Sequence, residues 1–334
     1  RLYICGVGLY EAYINGKKAG DEYLTPFYND YRYWLQYETY DVTESIGNGK
    51  NIIQILLGNG WYKGRFSYQY GGVENIYGNR CMAAAKLVIS FKKGRSQIIT
   101  TDDTWQYKKS SVAGGNIYDG EIYDACVDTD KEKGKSCKPV KEVNEYNAPV
   151  VERVSPPLKI QEKIINPKLI ITPLGEQVLD FGQEISGWVE FDCKEERGRK
   201  IKLQYGEILQ NNNFYRDNLR TAKAEFVFIC NGKKLHARPH FTFYGFRYVK
   251  VSGIKLTEEN FGNYNFTACV IYSEMERTGY IKTSSIKVNK LIENTLWGQK
   301  GNFIDVPTDC PQRDERLGWT GDAQVFCRTA SYHM

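Results

Sequence analysis

The stretch "HFTFYGFRYVKVSG", residues 240–253, alternates apolar and polar side chains with a period close to two. Successive side chains of a strand point to opposite faces, so this pattern predicts a half-buried β-strand. The segments "QVLDFGQEISGWVEFDC", residues 177–193, and "KIKLQYGEIL", residues 200–209, predict two more strands separated by a glycine turn. These segments together predict a β-sandwich domain over residues 156–275.

The residues before this domain also predict β-structure. "LYEAYINGKKAG", residues 9–20, contains the dipeptide Asn15-Gly16 between two short apolar runs, which is a strong hairpin signal. "NIIQILLGNGWY" and "AAAKLVISF" are apolar runs bounded by turn residues, as is typical of buried sandwich strands. "NAPVVERVSPPLK" carries three prolines and predicts a linker. We therefore predict an N-terminal β-sandwich domain over residues 1–155.

The pattern changes after residue 275. "SSIKVNKLIENTLWGQKGNF", residues 284–303, places apolar residues at Val288, Leu291, Ile292 and Leu296, a spacing of three and four that predicts an amphipathic helix. Ser284 or Ser285 is the expected N-cap. "DAQVFCRTASYHM", residues 322–334, predicts a second helix with Asp322 at or near its start. Residues 276–334 are thus expected to begin a third, helical domain that is incomplete.

Bulk composition excludes several functional classes. The 334 residues carry 45 basic and 40 acidic side chains, a net charge of +5 that forms no long basic block, so nucleic-acid or membrane-surface binding has little support. No apolar run approaches the ~20 residues that a membrane-spanning helix needs. The 25 Tyr, 15 Phe and 6 Trp residues suit sugar rings, but they also fill sandwich cores.

Nine scattered cysteines contain no CxxC pair, so neither a metal site nor a cofactor site is expected. The three histidines add no ligand spacing. Free thiols favour a reducing compartment, and hence a cytoplasmic protein over a secreted one. Because the sequence opens at Arg1 inside a predicted strand, we expect a chain shortened at its start, so the lack of a signal peptide in these residues does not decide between the two locations.

The segment "DVPTDCPQRDERLGWTGDAQ", residues 305–324, concentrates charge on a rigid connection between the two predicted helices. Pro307 and Pro311 restrict its backbone, while Gly318 and Gly321 permit tight turns. Such a loop presents carboxylates at fixed positions, where one of them can protonate a leaving-group oxygen. From composition alone, a solvated salt-bridge network at a helix connection is the favoured interpretation, because most charged loops are of that kind.

This segment resembles the signature of the bacterial α-L-rhamnosidases, glycoside hydrolase family 78. The resemblance continues through "GLYEAYINGKKAGDEYLTPFYNDYRYWLQYETYDVT", "LLGNGWYKGRF", "LDFGQEISGWVEF" and "FTFYGFRYVKVSG", in the domain order of that family and over essentially the whole chain. It implies a mainly β fold of two jelly-roll-like β-sandwich domains followed by the first helices of a truncated (α/α)6 barrel.

The resemblance also implies roles for individual residues. Glu315 corresponds to the general acid that protonates the departing glycosidic oxygen. Asp309, Arg313 and Asp322 correspond to residues that hydrogen-bond the rhamnose hydroxyls, and Trp319 to one that packs on the sugar. Asp314 and Arg316, within the same motif, are expected to be structural. The substrates would be rhamnose-containing glycosides or polysaccharides, and a homo-oligomer is compatible with the family.

Family members invert the anomeric centre, which requires a second carboxylate ~6.5–9.5 Å from the acid. That general base lies downstream of the motif in the family and is expected beyond Met334, so the 334 residues alone should be inactive. Two other hypotheses stay open at this point. One is a non-catalytic carbohydrate-binding protein made of β-sandwiches, and the other is an inverting glycosidase that acts on a different sugar.

Overall fold

The computed structural model describes residues 1–67, 71–92, 94–127, 137–143 and 146–334. Most of the regular structure in these residues is β-strand, which confirms the predicted mainly β fold class. No helix in the described ranges is long and apolar enough to cross a membrane.

Two sheets form the N-terminal part of the molecule. Their strands are β1 (Leu2–Val7), β2 (Leu9–Ile14), β3 (Lys17–Lys18), β4 (Leu35–Tyr40), β5 (Ile53–Gly58), β6 (Met82–Ser90), β7 (Ser96–Thr100) and β12 (Val150–Glu152). One sheet has the order β12-β4-β1-β6-β7, and the other has the order β3-β2-β5. Buried apolar side chains of both sheets, among them Ile4, Ala12 and Leu87, share one core, as expected for a sandwich.

The hairpin between β2 and β3 follows the sequence prediction. Asn15 and Gly16 connect the strands with φ values of 52° and 81°. A two-residue turn with both central residues at positive φ matches the twist of the flanking strands, and asparagine and glycine tolerate that conformation best. The Asn15-Gly16 prediction is therefore confirmed.

A larger, curled sheet follows. Its strands are β9 (Val112–Asn116), β10 (Gly120–Asp124), β13 (Leu158–Ile164), β14 (Lys168–Ile171), β15 (Gln177–Cys193), β16 (Lys200–Gly206), β19 (Glu225–Ile229), β20 (Leu235–Ala237), β21 (Tyr244–Ser252) and β22 (Thr267–Ser273). Its main path runs β13-β22-β15-β21-β16-β19-β10-β9, while β14 and β20 both pair with β15. Short two-stranded pairs join β8 (Gln106–Tyr107) to β11 (Lys138–Pro139) and β17 (Ile208–Gln210) to β18 (Asn213–Tyr215).

The strand predicted from residues 240–253 lies in the middle of this sheet. β21 pairs with β15 on one side and β16 on the other, so it separates the two strands that the sequence places next to each other. Phe243, Phe246 and Val249 are fully buried in the core beneath it. The alternation therefore predicted the strand correctly, while the strand order was set by contacts distant in sequence.

The predicted domain limits at residues 155 and 275 stay predictions. Sheet pairing crosses the first of them: β9 and β10 precede residue 155, yet β10 pairs in parallel with β19 of the large sheet. One continuous core also joins Leu9 and Phe27 to Trp188 and Tyr244. The two β-regions are thus packed into one body over a shared apolar core.

Three helices complete the described residues: α1 (Gly60–Lys63), α2 (Ile286–Asn302) and α3 (Thr320–Ala330). The side chain of Ser285 caps α2 by accepting a hydrogen bond from the backbone N–H of Val288 at 3.4 Å. The C-terminal half of α2 rests on the large sheet, because Leu296 and Gln299 are buried there and Ser186 Oγ donates to the Gly301 carbonyl at 2.6 Å. α3 begins at Thr320, which puts Asp322 in its first turn instead of at its N-cap.

Apolar side chains remain exposed on both longer helices. Ile286 and Val325 are each 85% exposed and Leu291 is 65% exposed. An amphipathic helix normally buries its apolar stripe against a neighbouring element. Ile286 and Leu291 lie in the N-terminal half of α2, ahead of the buried Leu296 and Gln299.

Candidate active site

The connection between α2 and α3 forms the candidate site. A short pair of strands, β23 (Phe303–Ile304) and β24 (Val306–Pro307), turns sharply at Asp305, whose φ is 69°. The chain then runs through a loop that Asp309 and Leu317 close: the backbone N–H of Asp309 donates to the Leu317 carbonyl at 3.1 Å, and that of Leu317 donates to Asp309 Oδ1 at 2.8 Å. We call residues 305–319 the signature loop.

The signature loop lies directly on the central strand of the large sheet. A Cβ atom added to Gly245 of β21 would come within 2.7 Å of Pro311 Cγ and 2.9 Å of Gln312 Cβ. Glycine at this position therefore permits the close approach of loop and strand. The signature loop therefore packs directly on β21.

A buried arginine, Arg316, holds the loop against the large sheet. Arg316 is only 1% exposed. Its guanidinium donates to the backbone carbonyls of Ile117 (2.9 Å), Phe243 (2.7 Å), Gln312 (2.8 Å) and Arg313 (3.0 Å) and lies over the rings of Tyr118 and Phe243. Burial lowers the pKa of Arg316 to about 10, which leaves it charged at neutral pH. The Arg316 side chain thus links the loop to two segments of the large-sheet region by hydrogen bonds.

Two aspartates also anchor the loop, Asp305 at its first residue and Asp314 near Arg316. Asp305 accepts hydrogen bonds from the Tyr28 backbone N–H at 2.8 Å and from Ser155 Oγ at 2.7 Å, and burial raises the pKa of its carboxyl to about 6. Asp314, which is 3% exposed, accepts a hydrogen bond from the hydroxyl of Thr221. The Asp314 and Arg316 side chains are thus directed into the protein and away from solvent.

Between these anchors, the Glu315 side chain turns outward. Its Oε2 atom accepts from Arg313 Nε at 3.0 Å and forms an ion pair with Arg220 Nη1 at 3.1 Å. Its Oε1 atom accepts from the indole Nε1 of Trp319 at 3.1 Å. The Tyr118 hydroxyl donates to the backbone carbonyl of the same residue. Both the backbone and the carboxylate of Glu315 are therefore fixed.

The other predicted site residues are distributed around this carboxylate. Arg313 also reaches Asp309, with 3.5 Å between Nη2 and Oδ2. Trp319 is 37% exposed at the N-cap of α3, so part of its ring faces solvent. Asp322 lies exposed one turn into α3, and in the part of the chain that the structure describes its carboxylate makes no hydrogen bond to Asp309, Arg313 or Glu315. The structure therefore brings four of the five residues together.

The ligand atoms of Asp309, Cys310 and Glu315 lie within 4.8 Å of one another, a spacing that a metal ion can use. The chemistry of the group does not favour a cation. Burial raises the pKa of the Cys310 thiol to about 12, whereas metal ligation needs the thiolate. The guanidinium of Arg313 already pairs with both carboxylates. This cluster is better suited to binding polar groups such as hydroxyls than to binding a metal.

The arrangement has the groups that proton transfer to a leaving oxygen requires. A fixed, partly exposed carboxyl group can hold a proton for a leaving-group oxygen. Neighbouring carboxylate, guanidinium and indole groups offer both acceptors and donors for hydroxyls, as well as an apolar ring face.

Sequence analysis missed several residues that hold the site. Arg220, Thr221 and Tyr118 all come from the large sheet or its connections and lie far from the loop in sequence. Thr221 and Asp314, which are joined by a hydrogen bond, are 93 residues apart in the sequence. A positive φ at Arg220 is the distinguishing feature of that residue, and it is a property of the folded backbone that a single sequence does not display.

Three family models match consecutive parts of the chain. The α-L-rhamnosidase N-terminal domain matches residues 1–162. The bacterial α-L-rhamnosidase concanavalin-like domain matches residues 171–272. The bacterial α-L-rhamnosidase 6 hairpin glycosidase domain matches residues 276–334, where α2, the signature loop and α3 lie.

Relatives with curated names agree with these matches. An α-L-rhamnosidase of Streptomyces avermitilis is 35% identical over 344 residues, which cover 100% of this chain and 33% of the relative. One from Formosa agariphila is 32% identical, with 100% of this chain and 36% of the relative covered. The chain therefore spans about a third of the length of these relatives.

Solved structures give the same result. The S. avermitilis α-L-rhamnosidase complexed with L-rhamnose superposes with a TM-score of 0.93 at 34% identity, over 100% of this chain and 33% of that one. The native α-L-rhamnosidase of Aspergillus terreus superposes with a TM-score of 0.90 at 37% identity, over 99% of this chain and 39% of that one.

Proposed function

The chain belongs to the bacterial α-L-rhamnosidase family, glycoside hydrolase family 78, and from this premise we propose that the full-length protein hydrolyses terminal α-L-rhamnosides with Glu315 as general acid. The observation that carries the proposal is the carboxylate of Glu315, which three donors hold at 3.0–3.1 Å at the edge of the signature loop. A general acid needs this fixed geometry, because it must reach the oxygen of the scissile bond.

The neighbouring residues have complementary roles in the proposal. Asp309 and Arg313 supply an acceptor and a donor for the ring hydroxyls of the sugar. The partly exposed ring of Trp319 supplies a face for its apolar C–H groups. Asp322 contributes a further acceptor from the first turn of α3. The rhamnose complex of the S. avermitilis relative supports this choice of sugar.

The reaction requires a second carboxylate. We propose an inverting mechanism, in which Glu315 protonates the leaving oxygen while a general base activates water on the opposite face of the ring, ~6.5–9.5 Å away. We place this base outside residues 1–334, in the larger part of the helical domain that the relatives possess. Residues 1–334 alone would then contact part of the sugar without hydrolysing the glycosidic bond.

The test is an assay of the full-length protein on rhamnosides, with proton NMR of the first product to show its anomeric form. We expect β-L-rhamnose to appear first. Replacing Glu315 by Gln should lower kcat by ~10²–10⁴-fold on substrates with poor leaving groups. Glu293→Gln is the matched control, because Glu293 is an exposed residue of α2 whose side chain pairs with Lys290 of the same helix, away from the signature loop.

Three outcomes would contradict the proposal. Wild-type protein that binds L-rhamnose without hydrolysing rhamnosides would indicate a carbohydrate-binding protein. Hydrolysis of a different glycoside would indicate another sugar. An unchanged rate in Glu315→Gln would show that a different group donates the proton.

A further inference from the structure

Arg220 is the one partner of the Glu315 carboxylate, among the donors described above, that does not come from the signature loop. It follows the 3₁₀ turn Asp217–Leu219 of the large-sheet region. We propose that Arg220 is a positioning residue for Glu315, so that the β-region supplies part of the acid-delivering machinery. This inference rests on the proposed function and assigns a role to a residue outside the helical domain.

The backbone of Arg220 is the first reason for this assignment. Its φ of 56° and ψ of −119° correspond to a turn position that strongly favours glycine. An arginine there holds backbone strain, and such strain persists at sites where the surrounding structure makes use of the residue. The use visible here is the ion pair of 3.1 Å between Arg220 Nη1 and Glu315 Oε2.

A second reason is the way this segment is attached to the loop. Thr221 donates its hydroxyl to Asp314, so two consecutive residues of one segment contact two consecutive residues of the other. The Arg65 guanidinium donates hydrogen bonds to Thr221 Oγ1 at 2.8 Å and to the Thr221 carbonyl oxygen at 3.1 Å. Arg65 is held in turn by Asp119 at 2.7 Å. The Arg220 backbone is therefore fixed relative to Glu315.

These contacts determine which oxygen of Glu315 can hold the proton. Oε2 accepts a hydrogen bond from Arg313 Nε and forms an ion pair with Arg220, so it faces two positive charges. Oε1 faces a single neutral donor, the Trp319 indole N–H, and keeps a second lone pair for a proton, so the proton belongs on Oε1. Oε1 is thereby directed toward the ring that is proposed to face the sugar.

The proton-transfer step balances in these terms. The Oε1–H bond breaks and the proton bonds to the glycosidic oxygen. The bond from the anomeric carbon to that oxygen breaks, and its electron pair stays on the leaving oxygen. The water of the proposed inverting mechanism bonds to the anomeric carbon from the opposite face and gives its proton to the general base. Glu315 becomes a carboxylate, whose new negative charge lies against the guanidinium groups of Arg313 and Arg220.

Leaving-group dependence tests this role in the full-length protein. Dinitrophenolate departs with little need for a proton, whereas an alkoxide departs only when protonated. We expect Arg220→Gly to lower kcat/KM by ~10–100-fold on methyl α-L-rhamnoside and by less than ~3-fold on the 2,4-dinitrophenyl substrate. Glycine also relaxes the backbone at this position, so the variant should melt no lower than the wild type. Arg220→Lys should recover part of the lost rate.

Arg199→Ala is the matched control. Arg199 lies in the same β-region, its side chain is 46% exposed against 49% for Arg220, and its ion pair of 3.8 Å is with Glu196. We expect its rates on both substrates to equal those of the wild type. Equal losses on both substrates in Arg220→Gly, or no loss on either, would overturn the positioning role. If Glu315→Gln itself shows no leaving-group dependence, the proposed function fails first, and the inference fails with it.

Discussion

Replacing Arg316 by methionine should release the signature loop from the large sheet. Methionine has a similar length and fills the space between the Tyr118 and Phe243 rings, but it donates no hydrogen bonds. Of the four carbonyls that Arg316 binds, those of Gln312 and Arg313 belong to the loop and can turn toward water. Those of Ile117 and Phe243 belong to residues that are at most 1% exposed and would stay buried. The Ile117 carbonyl keeps a hydrogen bond from Thr242 Oγ1 at 3.1 Å, so the Phe243 carbonyl is the one that loses its main donor.

The magnitude follows from the Phe243 carbonyl, which stays buried. An unsatisfied buried acceptor costs about 1–3 kcal/mol, which is the expected loss. Removing the buried charge recovers some desolvation free energy, which makes the lower half of this range the better expectation. Arg316→Lys retains the charge but loses the planar fork of donors, so its loss should be smaller.

Native-state hydrogen exchange at the Leu317 amide measures this loss, since that N–H bonds to Asp309 Oδ1 within the loop. The free energy of opening at this amide should fall by about 1–3 kcal/mol in Arg316→Met. Arg328→Met is the control: Arg328 is exposed on α3, away from the signature loop, and its Nε donates to the nearby Tyr332 hydroxyl at 3.1 Å. A Leu317 opening free energy within about 0.5 kcal/mol of wild type in Arg316→Met would refute the reasoning.

Three further changes have defined outcomes. Tyr118→Phe removes the hydroxyl that donates to the loop carbonyl and should lower the opening free energy of the loop by about 1 kcal/mol; unchanged exchange would contradict this. Gly245→Ala should displace Pro311 and speed exchange throughout the loop, whereas Gly298→Ala, which meets open space in α2, should stabilise the protein by about 1 kcal/mol. Burial, with the nearby Glu207 charge, raises the pKa of Glu184 to about 9, so the folded state keeps a proton that the unfolded state has lost, and stability should fall as the pH rises from about 4.5 toward 9. Glu184→Gln should remove that fall and be about 1–3 kcal/mol more stable than wild type at pH 8 in melts compared across this range, while a wild type that gains stability with pH would contradict the sign.

Local sequence patterns predicted the elements well, because strand alternation and turn chemistry act over a few residues. The alternation in residues 240–253 and the Asn15-Gly16 turn both reflect such short-range effects. Strand order depends on pairings between distant segments, such as the parallel pairing of β10 with β19, and one sequence holds no local signal for them. For the same reason, the sequence did not indicate that strands before residue 155 extend the large sheet.

In the candidate site, too, the local sequence predicted the residues of the motif but not the distant residues that support it. The charged motif of the signature loop predicted which side chains gather, and Asp309, Arg313, Glu315 and Trp319 do lie together. Their roles in catalysis stay predictions. Asp322 lies exposed on α3 instead, since the helix begins at Thr320 and its first turn carries that side chain outward. The residues that support the loop from below contribute backbone carbonyls, a backbone N–H or hydroxyl groups, and their side-chain types carry no motif.

The supports of the signature loop have a consequence for the order in which the nascent protein matures. Tyr28, Tyr118, Ser155 and Phe243 all precede the loop, and 73 residues separate Phe243 from Arg316. At ~5–20 residues per second, the ribosome completes Phe243 about 4–15 s before it adds Arg316. Since domains generally fold N-terminal first, the loop meets a surface that has already formed and takes its shape from it. A mutation that delays folding of the β-region will therefore also delay folding of the signature loop, because the loop packs on that region.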